Sequence, residues 1–308
     1  MKITPINQWL PFNDYLVIAG PCSAETEAQV LSTAHSVKKI NKVKVFRAGI
    51  WKPRTRPNTF EGIGIKGLKW LQKVKKETGL LTCTEVANPD HVKACLDHDV
   101  DILWVGARTT VNPFLIQNIA DSLEGKDTPV MIKNPINADL SLWVGAIERF
   151  LNKGITKLVG IHRGFSTARP SQYRNEPYWK IPIEIRQKVP GLPLICDPSH
   201  ITGDRGKILD IGQKAFDMAM EGLMIETHPD PDSALSDRKQ QVTPKHLEEI
   251  LQMLHYRKEF TNDQCFGDKL SSLRSKIDAL DKELLDILKV RMNIVHDIGK
   301  EKIKKNIT

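Results

Sequence analysis

Short apolar runs rich in β-branched residues recur about every 25–35 residues along this chain. They are Tyr15–Gly20, Val43–Phe46, Leu80–Thr84, Ile102–Val105, Val130–Ile132, Lys157–Gly160, Pro193–Cys196 and Gly222–Ile225. Helix-like patterns lie between and after them, over Glu25–Lys39, Gly64–Thr78, Pro89–Asp97, Pro113–Leu123, Ala138–Lys153, Ile183–Val189, Arg205–Met220 and Pro244–Lys258. Asn88 before Pro89 and Thr243 before Pro244 are helix-start signals, because the side chain caps and proline suits the first turn. Strands alternating with helices predict a parallel sheet. Eight such units in about 260 residues fit a closed (β/α)8 barrel, whose chemistry lies at the C-terminal strand ends. Residues 1–14 read as an irregular lead-in. Gly164–Lys180, after the sixth strand, is a polar and aromatic loop long enough to be functional or mobile.

The pattern changes after the eighth unit. Phe260–Gly267 reads as a linker, which sets a barrel domain over 1–260, a linker over 261–269 and a separate helix over 270–308. In that helix Leu270, Leu273, Ile277, Leu280, Leu284, Ile287, Ile294 and Ile298 keep three-four spacing, and Arg291 interrupts the apolar seam. The helix spans about 35 residues, or about 50 Å. So broad a face calls for a partner: the barrel, another chain or further helices.

Composition narrows the function classes. No apolar run reaches the roughly 18 residues a membrane span needs, and the N-terminus lacks a basic region followed by an apolar core. Five cysteines at irregular spacing argue against a disulfide framework and for a reducing, cytoplasmic setting. The net charge of +8 raises the question of nucleic acid. The basic residues are dispersed, however, and the conspicuous ones follow apolar strands, where a cation is costly unless an anion pairs with it. Small anionic substrates fit better, so neither nucleic acid nor membrane is expected as a partner.

Those strand-tip cations are Arg47, Arg108, Lys133 and Arg163, with Lys52 and Arg54 in the loop Lys52-Pro53-Arg54-Thr55. Guanidinium grips carboxylate and phosphate in a bidentate way, and lysine adds a compact charge. Six cations at one mouth suggest two phosphorylated substrates. A second group of tips carries Cys22, His200, Glu226 and, just downstream, Asp237. A closed barrel sets strands one, seven and eight side by side, so a thiolate, an imidazole and two carboxylates could converge on a divalent ion. His162 and His228 compete for the imidazole role. A buried structural Cys22 and a capping Asp237 are the plain alternatives.

In this order the segments AGPCS (19–23), RAGIWKPRT (47–55), GARTT (106–110), IKNP (132–135), IHRGF (161–165), DPSH (197–200) and MIETH (224–228) resemble 3-deoxy-D-arabino-heptulosonate-7-phosphate (DAHP) synthase, the first enzyme of the shikimate pathway. The resemblance covers most of residues 10–255 and looks like the short, core-barrel class. It implies condensation of phosphoenolpyruvate with erythrose 4-phosphate. It also implies that Arg47, Arg108, Lys133 and Arg163 hold phosphoenolpyruvate, that Lys52 lies between the substrates, and that Arg54 and Thr55 contact erythrose 4-phosphate. Glu85 matches an acidic residue near the reacting carbons. Lys52, Glu85 and His200 are thus the expected catalytic side chains. Cys22, His200, Glu226 and Asp237 match divalent-metal ligands, with manganese foremost and iron, cobalt or zinc as alternatives. A homodimer or homotetramer is implied. The nearest rival is the sister synthase that uses arabinose 5-phosphate to make 3-deoxy-D-manno-octulosonate 8-phosphate; the KPRT sequence favours the four-carbon aldehyde.

Residues 270–303 resemble the first helix of the all-helical chorismate mutase, and Arg274, Arg291 and Lys302 match its basic substrate contacts. Arg291 and Lys302, 11 residues apart, share a face, whereas Arg274, 17 residues from Arg291, lies on another. The match stops after that helix. The chain is therefore expected either to be cut short of the full domain or to use the helix for docking or regulation, without mutase activity of its own. Fusions of this kind imply prephenate or chorismate as an effector.

Overall fold

The computed structural model describes residues 2–53, 59–257 and 264–308. They fall into two units, Met1–Arg257 and Lys258–Thr308. In the first, eight parallel strands close into a barrel in chain order: β1 (Leu16–Gly20), β2 (Val43–Arg47), β3 (Leu81–Val86), β4 (Ile102–Val105), β5 (Val130–Lys133), β6 (Leu158–His162), β7 (Leu194–Cys196) and β8 (Gly222–Glu226). β8 pairs with both β7 and β1, so the strands read as one, seven and eight are contiguous. Helices supply the long crossovers that parallel neighbours require. They are α1 (Glu27–Lys38), α2 (Lys66–Thr78), α3 (Pro89–Asp97), α4 (Ala107–Thr110), α5 (Pro113–Ser122), α6 (Leu140–Asn152), α7 (Lys180–Lys188), α8 (Pro198–Thr202), α9 (Ile208–Asp217) and α10 (Pro244–Met253). α7 starts three residues earlier than the apolar pattern suggests, at Lys180, and the short α4 and α8 escape that pattern because they are single turns.

Side-chain caps start these helices where the sequence offers them. Asn88 accepts from His91 N, Asn112 from Phe114 N and Leu115 N, Asp197 from His200 N and Thr243 from His246 N, each with proline next in the chain.

Strand alternation sorts the core into two shells. Ile18, Val45, Cys83, Trp104, Met131, Ile161, Ile195 and Met224 cluster inside the barrel, whereas Val17, Phe46, Leu103, Ile132, Leu158, Leu194 and Ile225 pack with residues of the helical layer. Period two then fixes what comes next on the inner face. Two residues beyond Val45, Cys83, Met131, Ile161, Ile195 and Met224 stand Arg47, Glu85, Lys133, Arg163, Asp197 and Glu226. The lead-in does more than expected: Ile6 and Leu10, around a short 3-10 turn, are buried with the inner shell.

The second unit is one helix, α11 (Gln264–Lys304). Gln264–Lys269, expected in the linker, are helical. No proline interrupts residues 264–304, and Gly267 and Gly299 each cost the helix only about 1 kcal/mol. The apolar stripe from Leu273 to Ile298 is exposed.

Gly20 closes β1 against β2 where no side chain fits. Its φ is +147°, and a Cβ there would stand 2.1 Å from the Arg47 carbonyl oxygen. Gly20→Ala is expected to destabilise the barrel by about 2–4 kcal/mol. The thermal midpoint by circular dichroism should fall by roughly 5–10 °C; an unchanged midpoint would contradict this account.

Candidate active site

The strand tips meet in a cavity of about 230 Å³ lined by Lys52, Pro53, Glu85, Gly106, Ala107, Arg108, Lys133, Arg163, Arg174, His200 and Asp237. Arg54 and Thr55 lie outside the described residues.

Arg47, expected at this mouth, is not among the lining residues. It is 1% exposed and faces Glu226 Oε1 at 3.2 Å, with Glu226 fully buried. Nη2 also donates to the Cys22 carbonyl, while Nε and Nη1 are buried without hydrogen-bond partners. The guanidinium lies 4.9 Å from the Trp104 ring centroid. Burial opposes its charge, but Glu226 and Asp197 outweigh that and raise its pKa. Lys133 lies 2.8 Å from Asp197 Oδ2 and 5.8 Å from the same Trp104 ring. Trp104 Nε1 in turn donates to Glu85 Oε2 at 3.0 Å. Glu85 has room only because residue 106 is glycine: a Cβ there would stand 2.1 Å from Glu85 Oε1.

Arg163 is buried, donates to Gly164 O and Asn175 Oδ1, and has its backbone N–H bound by Asn134. Burial lowers its pKa to about 10, and Arg174 and Arg108 push the same way against Asp197. Three guanidiniums thus crowd one cavity, an arrangement that favours a polyanionic ligand.

Cys22, Glu226 and Asp237 offer ligand atoms within 4.8 Å of one another. His200 stands outside that set but beside it, with Nε2 3.6 Å from Glu226 Oε1 and Nδ1 2.8 Å from Asp197 Oδ2. A carboxylate behind an imidazole orients the ring toward whatever the other nitrogen binds. Burial lowers the pKa of His200, keeping the ring neutral, the form that can ligate a metal. Burial pushes the Cys22 thiol up to about 12, and Glu226 adds to that rise. Burial alone would raise Asp237 and Asp197; Arg174 leads the groups that hold Asp237 below its usual range, and His200 and Lys133 hold Asp197 well below. Lys52 Nζ lies 3.0 Å from Cys22 Sγ, and despite burial the surrounding Cys22, Glu226 and Asp237 raise its pKa, so it stays protonated. A buried Glu226 Oε1 that accepts no hydrogen bond, next to a thiol, an imidazole and a second carboxylate, fits the donor set of a divalent cation.

The competing imidazoles lie elsewhere. His162 is buried against Phe165 and Trp179, and His228 sits 3.7 Å from Glu25. Sequence reasoning missed Arg174, Asn175, Gln240 and Trp104. Arg174 and Asn175 come from the loop flagged as functional, which Phe165 and Glu176 strap with reciprocal backbone hydrogen bonds of 2.8 Å. A Trp in an apolar strand gives no local sign of a site role. Arg274, Arg291 and Lys302 all belong to α11.

The family model described as DAHP synthetase I family matches residues 12–262, and that for chorismate mutase type II matches residues 273–308. A phospho-2-dehydro-3-deoxyheptonate aldolase of Thermotoga maritima is 33% identical over 238 residues, covering 77% of this chain and 68% of that protein. A 2-dehydro-3-deoxyphosphooctonate aldolase of Desulfatibacillum aliphaticivorans is 30% identical over 265 residues, 79% of this chain and 92% of that one. Among solved structures, the crystal structure of a Thermotoga maritima DAHP synthase aligns with a TM-score of 0.69 at 31% identity, covering 77% of this chain and 67% of that chain. A truncated form from the same organism aligns at 0.67 and 29%, covering 77% and 84%.

His162 generates a pH prediction. Burial foremost, with Arg163 beside it, lowers its pKa from 6.5 to about 3. Between those values the unfolded chain binds a proton that the folded chain refuses, so stability is full above pH 6.5 and falls as the pH drops. The limiting slope is about 1.4 kcal/mol per pH unit. Denaturant unfolding from pH 6.5 to 5 should show a shallower loss in His162→Leu than in the wild type. Equal slopes would place the ring's titration elsewhere.

Proposed function

The chain belongs to the DAHP synthetase I family, and from that premise we propose that its barrel, residues 1–260, condenses phosphoenolpyruvate with erythrose 4-phosphate to give DAHP and inorganic phosphate. The observation that carries this reading is the convergence of Lys52, Arg108, Lys133, Arg163 and Arg174 on one cavity, together with the buried Arg47, whose Nε and Nη1 lack hydrogen-bond partners. Arg47, Lys133, Arg108 and Arg163 bind the carboxylate and phosphate of phosphoenolpyruvate. Arg54 and Thr55 contact the aldehyde substrate.

Carbon 3 of phosphoenolpyruvate attacks the aldehyde carbon and forms the new carbon–carbon bond. Lys52 is protonated at rest and hands its proton to the aldehyde oxygen, which becomes a hydroxyl. Water adds at carbon 2 and gives one proton back to Lys52; the new hydroxyl then becomes the carbonyl as the bond from carbon 2 to the phosphate oxygen breaks, and its proton leaves with the inorganic phosphate. Glu85, oriented by the Trp104 indole N–H, lies beside the reacting carbons. Cys22, His200, Glu226 and Asp237 hold a divalent cation, manganese foremost, and when bound it supplies Lewis-acid polarisation of the aldehyde. The fixed cations hold both anions together and in register, so association is settled before chemistry begins.

Among the described residues no helix is long and apolar enough to cross a membrane, and we place the activity in the cytoplasm. Residues 270–308 serve regulation: Arg274, Arg291 and Lys302 bind an anionic chorismate derivative such as prephenate, in a homodimer or homotetramer. The relatives named as 2-dehydro-3-deoxyphosphooctonate aldolases keep a second aldehyde in view, arabinose 5-phosphate.

The test is phosphoenolpyruvate-dependent phosphate release by the full chain with each aldehyde, with manganese or with EDTA. Turnover is expected with erythrose 4-phosphate and manganese, and its loss in EDTA. Preference for arabinose 5-phosphate would transfer the chain to the second reading, and undiminished turnover in EDTA would remove the cation. Arg163→Ala should raise the KM for phosphoenolpyruvate by about tenfold or more, the loss of one charge-assisted contact; an unchanged KM and rate would exclude that contact.

A further inference from the structure

One oxygen of each carboxylate of the cation site is held by a side chain outside the candidate ligand set. Gln240, 1% exposed, donates from Nε2 to Glu226 Oε2 at 2.7 Å. Arg174 Nη1 donates to Gln240 Oε1 at 2.7 Å and to Asp237 Oδ1 at 2.9 Å. These bonds orient one another. A guanidinium can only donate, so the Gln240 oxygen must face Arg174 and its NH2 must face Glu226.

The other oxygens face the candidate ligands. Glu226 Oε1 is buried, pairs with Arg47 Nη2 at 3.2 Å and lies 3.6 Å from His200 Nε2. Asp237 Oδ2 accepts a hydrogen bond from the Cys22 thiol at 3.2 Å. Each carboxylate therefore presents one oxygen toward Cys22 and His200. Without the ties, each could turn its second oxygen inward or swing away. Asp237 also sits in left-handed backbone at φ 46°, a conformation its surroundings must hold in place.

We propose that Arg174 and Gln240 form a positioning relay for the cation site, which sets Glu226 and Asp237 to one-oxygen ligation and couples the loop after β6 to metal affinity. The proposal rests on the reading of Cys22, His200, Glu226 and Asp237 as a divalent-cation site. Its rival is that Arg174, which lines the cavity, only binds a substrate anion.

The experiment titrates manganese alone, without substrates, into chelator-stripped full-length protein and reads free ion by electron paramagnetic resonance. Wild type, Arg174→Ala, Arg174→Lys, Gln240→Leu, the double variant Arg174→Ala/Gln240→Leu and Cys22→Ser are compared, with circular dichroism reporting the fold. The relay predicts that Arg174→Ala and Gln240→Leu each weaken manganese binding by about 10–100-fold. It also predicts that the double variant is no worse than the poorer single, because the two act in one chain of bonds, and that Arg174→Lys recovers part of the loss. Folded Arg174→Ala with a Kd within about twofold of wild type would overturn the relay, whether or not Gln240→Leu folds, and would leave Arg174 to the substrate. Cys22→Ser binding as tightly as wild type, or a wild type that binds no manganese at millimolar concentration, would instead overturn the cation site itself.

Discussion

The buried pairing of Arg47 with Glu226 is the constraint around which this barrel end is organised. Two charges removed from water must be compensated inside the protein, or the fold loses several kcal/mol for each. The chain meets that demand with a connected lattice of acids and bases. Arg47 faces Glu226, Glu226 neighbours His200, His200 leans on Asp197, and Asp197 holds Lys133. Trp104 lies beneath both cations and takes Glu85 on its indole N–H. Several buried atoms of the lattice lack hydrogen-bond partners: Arg47 Nε and Nη1, His200 Nδ1 and Glu226 Oε1. Unmet hydrogen-bonding capacity in a fully buried network marks where ligands complete it.

That incompleteness separates two tasks within a small volume. In the proposed function, Arg47, Arg163 and the neighbouring guanidiniums serve the anionic substrates. Glu226, Asp237, Cys22 and His200 serve a divalent cation. Lys52 adjoins the second set, with Nζ 3.0 Å from Cys22 Sγ. Burial sharpens both preferences, since low local polarity strengthens each interaction and excludes water as a substitute partner.

Much of this was legible in the chain. Apolar runs of β-branched residues announced the strands, and the polar residue after each run announced the site, because period two carries one face of every strand from core to cavity. Cys22, Glu226 and Asp237 could be picked out as a metal-type set although more than 200 residues separate the first from the others. Arg174 and Gln240 could not. Each looks like an ordinary solvated residue in a polar stretch, and their role exists only because Gln240 reaches Glu226 while Arg174 reaches both Gln240 and Asp237. Trp104 looked like core, and it is core; its second function comes from the Glu85 carboxylate on the neighbouring strand.

The sequence by itself therefore determined the alternation of strands and helices, the capped starts at Asn88 and Thr243, the amphipathic stripe of α11 and the inventory of charged and ligating groups. All of these follow from local rules of spacing and side-chain chemistry. Tertiary structure alone decided which side chain holds which oxygen of each carboxylate, which imidazole of His162, His200 and His228 stands beside Glu226, and which cation reaches which acid. Those outcomes depend on separations of about 3 Å between residues brought together by closure of the barrel, and no one-dimensional spacing encodes a distance of that kind.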